Sequence, residues 1–521
     1  MAWKCSVPVG LLVCGLVVAS QAPGEEPPNF NQHVAPIIYR HCASCHRPGQ
    51  VAPFSLLTYQ DVRRRSLTIQ AVLHSGYMPP WKPVDDQGMF ANSRKLASQE
   101  KATLLRWIQA GCPQGPADQK PPQPKFPDKW YLGKPDLVVK MPQPYRVPAS
   151  GPDIYRSFVI PLDLPEDKWV RAVELRPSSR QVVHHALFFY DTTGQARRRD
   201  GRDGQPGVPG MDVPISGTLG GYVPGTIPYE LPPGLAMPLP KGADLIIQTH
   251  FHPTGKEEVE QSELALYFAD RPPQRTLVPF QVPRMFGRFA KIDIPPGEKN
   301  YVVRGKLTLP TDVELISIGG HAHYVCVKMQ MTATLPDGTK KTLLRIDDWD
   351  LNWQDRYYYR KPLFLPEGTV LETVLVYDNS ADNPRNPFDP PRRIRWGLES
   401  FDEMGSITVL AVPAREKDLP KLVAGVYRHL DLGYVPRLNA QQRREFRRWM
   451  AHFAPERGQR IAARLFLRLD RNKDGVLQAE ELPEQARQRI LLRWDFNENG
   501  QLDPEEIRAL WKAVSKPPKS S

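Results

Sequence analysis

Cysteine is scarce in this chain: six in 521 residues, two of them, Cys5 and Cys14, within the first fourteen. That excludes a small secreted scaffold held by a disulfide framework. Cys112 and Cys326 fall in no motif and are left open as one disulfide or two buried thiols. Long apolar runs are equally rare. The run 7–18 follows Lys4 and closes on Val18-Ala19-Ser20, the pattern of a secretory signal peptide over residues 1–20. It is too short for a membrane span, and no later stretch approaches 18 apolar residues. An exported mature chain with no membrane span is therefore expected. No repeat period spans the sequence either.

Proline, by contrast, is abundant: 56 residues, roughly twice the average share of about 5%. Because proline breaks helix interiors and removes a sheet hydrogen bond, it argues against a helical bundle and for a loop-rich β architecture. Lys and Arg number 69 against 57 Asp and Glu, a net +12. The arginine clusters at 63–65, 197–199 and 443–448 are short and separate, so the excess reads as dispersed surface charge. No nucleic-acid partner is expected.

Hydrophobic periodicity divides the chain. Residues 30–115 carry helical spacing at 34–39, 62–73 and 98–110, and the proline-rich stretch 116–127 reads as a semi-rigid linker. Beyond 128, short β-type runs appear at 136–140, 182–190, 244–251, 313–318, 324–334 and 370–376, separated by Gly, Pro, Asp and Asn turns. The length suits two β-sandwiches, 128–290 and 291–418, with a seam near 285–292. The Gly/Pro-rich stretch 191–240 reads as a long functional loop. Helical patterns return at 440–453 and 457–469, inside a C-terminal unit at 436–521. The expected fold class is multidomain and mainly β, with helical units at both ends.

Cys42-Ala43-Ser44-Cys45-His46 carries the first chemistry. Two thiols at this spacing form thioethers to the vinyl groups of a haem, and the adjoining histidine supplies the proximal iron ligand. A thioredoxin-like reading needs a βαβ context that the sequence lacks. Residues 30–115 are accordingly expected to form a cytochrome c domain carrying haem c. Met78, in Gly76-Tyr77-Met78-Pro79-Pro80-Trp81, is the expected distal ligand, with Met89 and His74 as alternatives.

Histidines in the β region come in pairs: His184-His185, His250-Phe251-His252 and His321-Ala322-His323, with Met404 further on. Any one spacing arises by chance about 0.3 times in this composition, so the weight lies in three pairs at β-type runs. Residues i and i+2 share a strand face, so His321 and His323 can hold one metal, as can His250 and His252. His184 and His185 can converge only at a strand end or a bulge. Imidazoles with a thioether in an exported protein favour copper, with zinc as competitor.

These residues resemble the copper type II, ascorbate-dependent monooxygenases, the family of peptidylglycine α-hydroxylating and dopamine β-monooxygenases. The resemblance covers roughly 130–415. It rests on the order Val183-His184-His185, Gln248-Thr249-His250, His321-Ala322-His323 and Asp402-Glu403-Met404, with a similar turn at 377–384. It implies two packed jelly-roll-like β-sandwiches with one copper ion each, facing across a cleft. It further implies that His184, His185 and His250 hold an electron-supplying copper. His321, His323 and Met404 would hold the catalytic copper that binds dioxygen. The family pattern leaves His252 outside the ligand set, in conflict with spacing alone. The chain departs from the animal enzymes in its few cysteines and shows no match to their peptide-anchoring residues, so the substrate is undefined.

Two twelve-residue stretches remain. Asp470, Asn472, Asp474, Val476, Gln478 and Glu481 occupy the ligand positions of an EF-hand loop around Gly475. Asp495, Asn497, Asn499, Gln501, Asp503 and Glu506 do the same around Gly500. Calcium binding by a helical EF-hand pair is expected, weaker in the second loop because asparagines lower its charge. Together these readings describe an exported copper-dependent monooxygenase, bacterial and periplasmic or extracellular, that hydroxylates a C–H bond with O2. Its electrons would come from ascorbate or a respiratory redox protein, through the fused haem. The alternative is a non-catalytic haem–copper electron-transfer or metal-binding protein.

Overall fold

The N-terminal helical spacing resolves into the helices Ala35–His41, Tyr59–Arg64, Ser66–Ser75 and Ser98–Gln109. The computed structural model describes residues 26–85, 88–126, 130–210, 213–429 and 438–453, with isolated positions between 477 and 502. Sequence chemistry sets the helix ends. Thr58 Oγ1 accepts the Asp61 N–H at 3.1 Å while Asp61 accepts the Thr58 N–H at 3.2 Å, a reciprocal cap. Gly76 ends the third helix in the left-handed region, where glycine carries no Cβ penalty. The apolar faces close on Trp107, which is fully buried and donates from Nε1 to the Pro113 carbonyl at 2.9 Å. Truncating such a side chain costs about 3–5 kcal/mol.

The regular structure beyond these helices is mainly β, dominated by two pairs of antiparallel sheets. In the first pair, a four-stranded sheet runs in the order Leu137–Lys140, Glu263–Phe268, Lys168–Arg176, Met237–Leu239. Its partner runs Val208–Pro209, Ile154–Pro161, Asp244–Phe251, Val183–Asp191, Gly217–Tyr222. Val170, Leu175, Leu264 and Leu266 of one sheet share a core with Phe158, Phe188, Leu245 and Ile247 of the other. The stretch 191–240 is not the loop expected. It supplies three strands, and Ala196, Val208 and Val213 cover the outer face of Val159, Phe189 and Ile246. That cover explains why Asp244–Phe251 is buried at every position.

In the second pair, one sheet runs Val278–Val282, Gly405–Pro413, Val313–Ala322, Arg356–Leu365. The other runs Tyr301–Thr308, Val370–Tyr377, Cys326–Thr334, Lys340–Ile346, over a single large core. The seam at 285–292 is corrected, because Val278–Val282 already pairs with Gly405–Pro413. The far boundary at 418 moves outward too: Leu419, Leu422, Val423, Leu438 and Phe446 all join this core. Phe446 lies on helix Ala440–Phe453, which the sequence assigned to the C-terminal unit. The pattern of an amphipathic helix reveals that it packs, not against what.

Segment 77–95 departs from the helical region and lies along the second β unit. Pro83 and Phe90 make β-bridges to Ile346 and Tyr359, and Lys82 pairs with Asp348 at 2.7 Å. Trp81 meets Tyr357 edge-on, and Phe90 packs at a tilt against Tyr357 and Tyr359. Cys112 and Cys326 are both buried free thiols.

Candidate metal centres

The first centre forms where two neighbouring strands end together. His185 stands opposite His250 in register, and a bulge between Val183 and His185 lets adjacent histidines serve one side. The Nδ1 atoms of His184 and His185 lie 3.2 Å apart, as do those of His185 and His250. Ligand atoms of all three rings fall within 4.8 Å of one another. Burial lowers His184 to about 4 and takes His185 well below its ordinary value, so the rings are neutral, the form that ligates metal.

Asp153 organises this group. One oxygen accepts from His250 Nε2 at 2.8 Å and the other from His252 Nδ1 at 2.8 Å. The carboxylate thereby fixes which His250 nitrogen faces the centre. Burial works against the Asp153 charge, yet the two histidines hold it well below the usual carboxylate range. His252, 61% exposed, lies outside the cluster. The same-face pairing that spacing alone suggests does not form a chelate here, because the carboxylate sits between the two rings.

The second centre lies where the other unit's strands end. His321 pairs in register with Ser406 and Ala322 with Gly405, which places Met404 across from His323. Glu403, fully buried, ties these ends together: its Oε1 accepts the N–H of His323 at 2.6 Å and of Met404 at 2.8 Å, and Oε2 accepts that of Val325 at 3.2 Å. Burial pushes Glu403 up to about 8 against the pull of those donors. His321 Nδ1 meets Gln354 Oε1 at 2.6 Å and His323 Nδ1 meets the Asp402 carbonyl at 3.2 Å. Nδ1 of each ring is thus engaged, and the rings stand 5.3 Å apart at 84°. Burial lowers His321 to about 4 and His323 to about 3.

A proton on His321 or His323 would disfavour one on His185, so the two groups of histidines lie within electrostatic reach of each other. Ser400 Oγ, from the chain leading to Met404, reaches Asp153 Oδ2 at 3.3 Å. One short turn, Leu351–Trp353, serves both: Asn352 lies beside His184, where it favours a proton on the ring, and the next residue but one, Gln354, holds His321. Asp153, Asn352 and Gln354 escape sequence reasoning because no spacing links them to their histidines. Glu403 alone carried a signal, inside the Asp402-Glu403-Met404 run.

At the haem motif, Cys42 and Cys45 are free thiols, and burial pushes Cys42 up to about 12. His46 Nδ1 lies 3.2 Å from the Phe54 carbonyl, which leaves Nε2 for iron. These residues fit covalent haem. Met78 belongs to the segment docked on the second β unit, where the neighbouring Tyr77 ring meets Trp353 at 5.7 Å. It is not among the residues lining the cleft at Cys45. Of the EF-hand positions, Asp470, Asn472, Asp474, Val476, Asn497, Asn499, Asp503 and Glu506 lie outside the described residues. Gln478, Glu481, Asp495 and Gln501 are described; beside them Leu477 and Leu502 exchange backbone hydrogen bonds at 3.0 and 3.1 Å, and the Gly500 N–H donates to Asp495 at 2.9 Å.

Comparison with protein-family models finds no match, and comparison with curated proteins finds none. Solved structures with some likeness include the major capsid protein P2 of bacteriophage PM2, at TM-score 0.23 and 9% identity over 53% of this chain and 97% of that one. Cowpea mosaic virus empty particles reach TM-score 0.25 at 7% identity over 51% and 92%. Peptide:N-glycanase F reaches 0.23 at 12% over 53% and 96%. Likeness at this level carries no inference about chemistry.

Proposed function

We propose that this chain is an exported two-copper monooxygenase that uses O2, with haem c and calcium as further cofactors and two jelly-roll-like sandwiches as its core. The observation that carries this reading is the pairing of two unlike centres: three converging imidazoles on one β unit, and two imidazoles beside Met404 on the other. Copper in these centres would supply one-electron chemistry with dioxygen, and haem at Cys42, Cys45 and His46 would bring in electrons from ascorbate or a respiratory protein.

The chain's own groups suit those tasks. The soft thioether of Met404 favours the reduced metal, while the all-nitrogen set accommodates both oxidation states. Asp153, Gln354 and the Asp402 carbonyl each occupy one ring nitrogen and so fix the other for ligation. Glu403 holds both ligand-bearing strand ends in one place. In the C-terminal unit, the Leu477–Leu502 backbone pair joins the eighth positions of the two expected calcium loops, which supports a paired EF-hand.

Metal analysis tests the reading. Purified full-length protein should hold about two coppers and one iron per chain and consume O2 with a reducing donor. Zinc in place of copper would overturn it. Two bound coppers with no O2 consumption under any donor would favour the non-catalytic electron-transfer role.

A further inference from the structure

A cleft of about 680 Å³ lies between the helical unit and the first β unit, a size that admits a small molecule and not a folded partner. Cys45 stands on its wall, whereas Cys42 and His46 do not. Gly225, on the facing wall, comes so near that a Cβ there would stand 3.4 Å from Cys45 Sγ. The cleft therefore narrows onto the one sulfur that, in the haem reading, is bonded to the edge of the ring. An occupant of the cleft meets that edge.

Its charge is one-sided. Arg40, Arg47, Arg94 and Lys125 line it from the N-terminal part of the chain, and Arg176 and Arg180 from the first β unit. Among the described residues Glu174 is the one carboxylate on the wall. Its charge is engaged already: its oxygens accept the N–H groups of Tyr131 at 2.8 Å and Leu132 at 3.4 Å, and the Tyr267 hydroxyl at 3.3 Å. Arg40 is paired with Glu100 at 3.0 Å and Arg94 with Asp355 at 2.5 Å. Arg47, Lys125, Arg176 and Arg180 form no ion pair among the described residues. The Tyr222 hydroxyl, buried on the same wall, finds no acceptor among them. None of these cations adjoins another in sequence, which is why the positive excess reads there as dispersed. Gathered in a recess, they attract an anion more strongly than they would on an open surface.

We propose that this cleft binds the electron donor of the haem, and that the donor is a small organic anion of the enediolate class. The proposal rests on the haem reading above and adds what kind of donor is taken, and where. In the cleft the donor loses one electron to ferric iron across the thioether edge and one proton to solvent, leaving its radical and ferrous haem. Arg176 and Arg180 hold its negative charge, so the first β unit completes a site that the helical unit only begins.

The probe is ascorbate, mixed without oxygen into the oxidised full-length protein with haem attached and followed at the haem band. Reduction should saturate with ascorbate concentration. Arg180→Gln and Arg176→Gln should each raise the half-saturating concentration roughly tenfold while the limiting rate stays within about twofold, because each removes a charged contact to the donor and nothing from the haem. Arg180→Lys should keep most of the parent affinity. Hexaammineruthenium(II), a cation, should reduce the parent no faster than the variants. Should Arg180→Gln disturb folding, Arg176→Gln and Lys125→Gln carry the comparison. A rate that climbs in proportion to ascorbate without saturating, or a half-saturation unmoved in every variant, would overturn the donor site and leave the haem reading standing. So would a reduced flavodoxin that outpaces ascorbate and depends on the same arginines, since the surface would then serve a protein. Absence of covalent haem from the denatured parent chain, read as its pyridine haemochrome, would overturn both.

Discussion

Asp153 lies 97 residues from His250 and reaches both it and His252, each at 2.8 Å. A carboxylate in this position orients one ligand ring while leaving its neighbour outside the centre. Changing it to asparagine keeps the shape and removes the charge, so the His250 ring loses its fixed orientation. Asp153→Asn is expected to weaken metal binding at the three-histidine centre by about 10–100-fold. A chelator competition that resolves both centres should show the His321/His323/Met404 centre within error of the parent. Equal losses at both would mean that Asp153 acts through the fold. The histidines that cluster were legible as pairs at β-type runs, although the bulge that brings His184 and His185 to one side was announced by no spacing. The orienting groups were not, because a lone Asp, Asn or Gln has no period to betray it.

Two small elements hold the ligand strands in place. The turn Leu351–Trp353 touches both centres, through Asn352 at His184 and through Gln354, just beyond it, at His321. Gln354→Leu should therefore weaken the second centre alone, by about tenfold, and Asn352→Leu the first alone. Copper titration of each variant checks the split, and a loss that ignores which residue was changed would refute it. The second element is the turn before the His184 strand, pinned by Glu260. That fully buried carboxylate accepts the N–H groups of Ser178 and Ser179 and the hydroxyl of Ser262. Burial raises its pKa despite those bonds. The native state thus keeps a proton that the unfolded chain releases above about pH 4.3. This contribution is complete below that pH and is lost as pH rises through the raised native value. Urea melts should show the parent losing stability relative to Glu260→Gln over that window, by at most about 1.4 kcal/mol per pH unit. Identical slopes would show that Glu260 keeps its charge.

Over the whole molecule, composition and periodicity foretold a mainly β chain. How the parts meet was not legible, because the contacts join residues that local patterns cannot relate. Arg94 shows this best. It belongs to the segment leaving the helical region, donates to the Gly225 carbonyl of the first β unit at 2.8 Å, and pairs with Asp355 of the second, both side chains 10% exposed. One guanidinium therefore clamps three parts of the chain, next to Cys45 on one side and to the turn between the centres on the other. Removing its countercharge leaves a buried cation unpaired, a loss of about 3–5 kcal/mol. Asp355→Ala should lower the unfolding midpoint and loosen the docking of segment 77–95. If electrons pass from the haem region to the metal centres through this contact, the pre-reduced haem band should decay on mixing with oxygen faster in copper-loaded than in copper-free parent protein. In Asp355→Ala that difference should shrink at unchanged copper and iron content. A parent whose decay is indifferent to copper would refute the relay. A variant that keeps the full difference would place the electron path elsewhere.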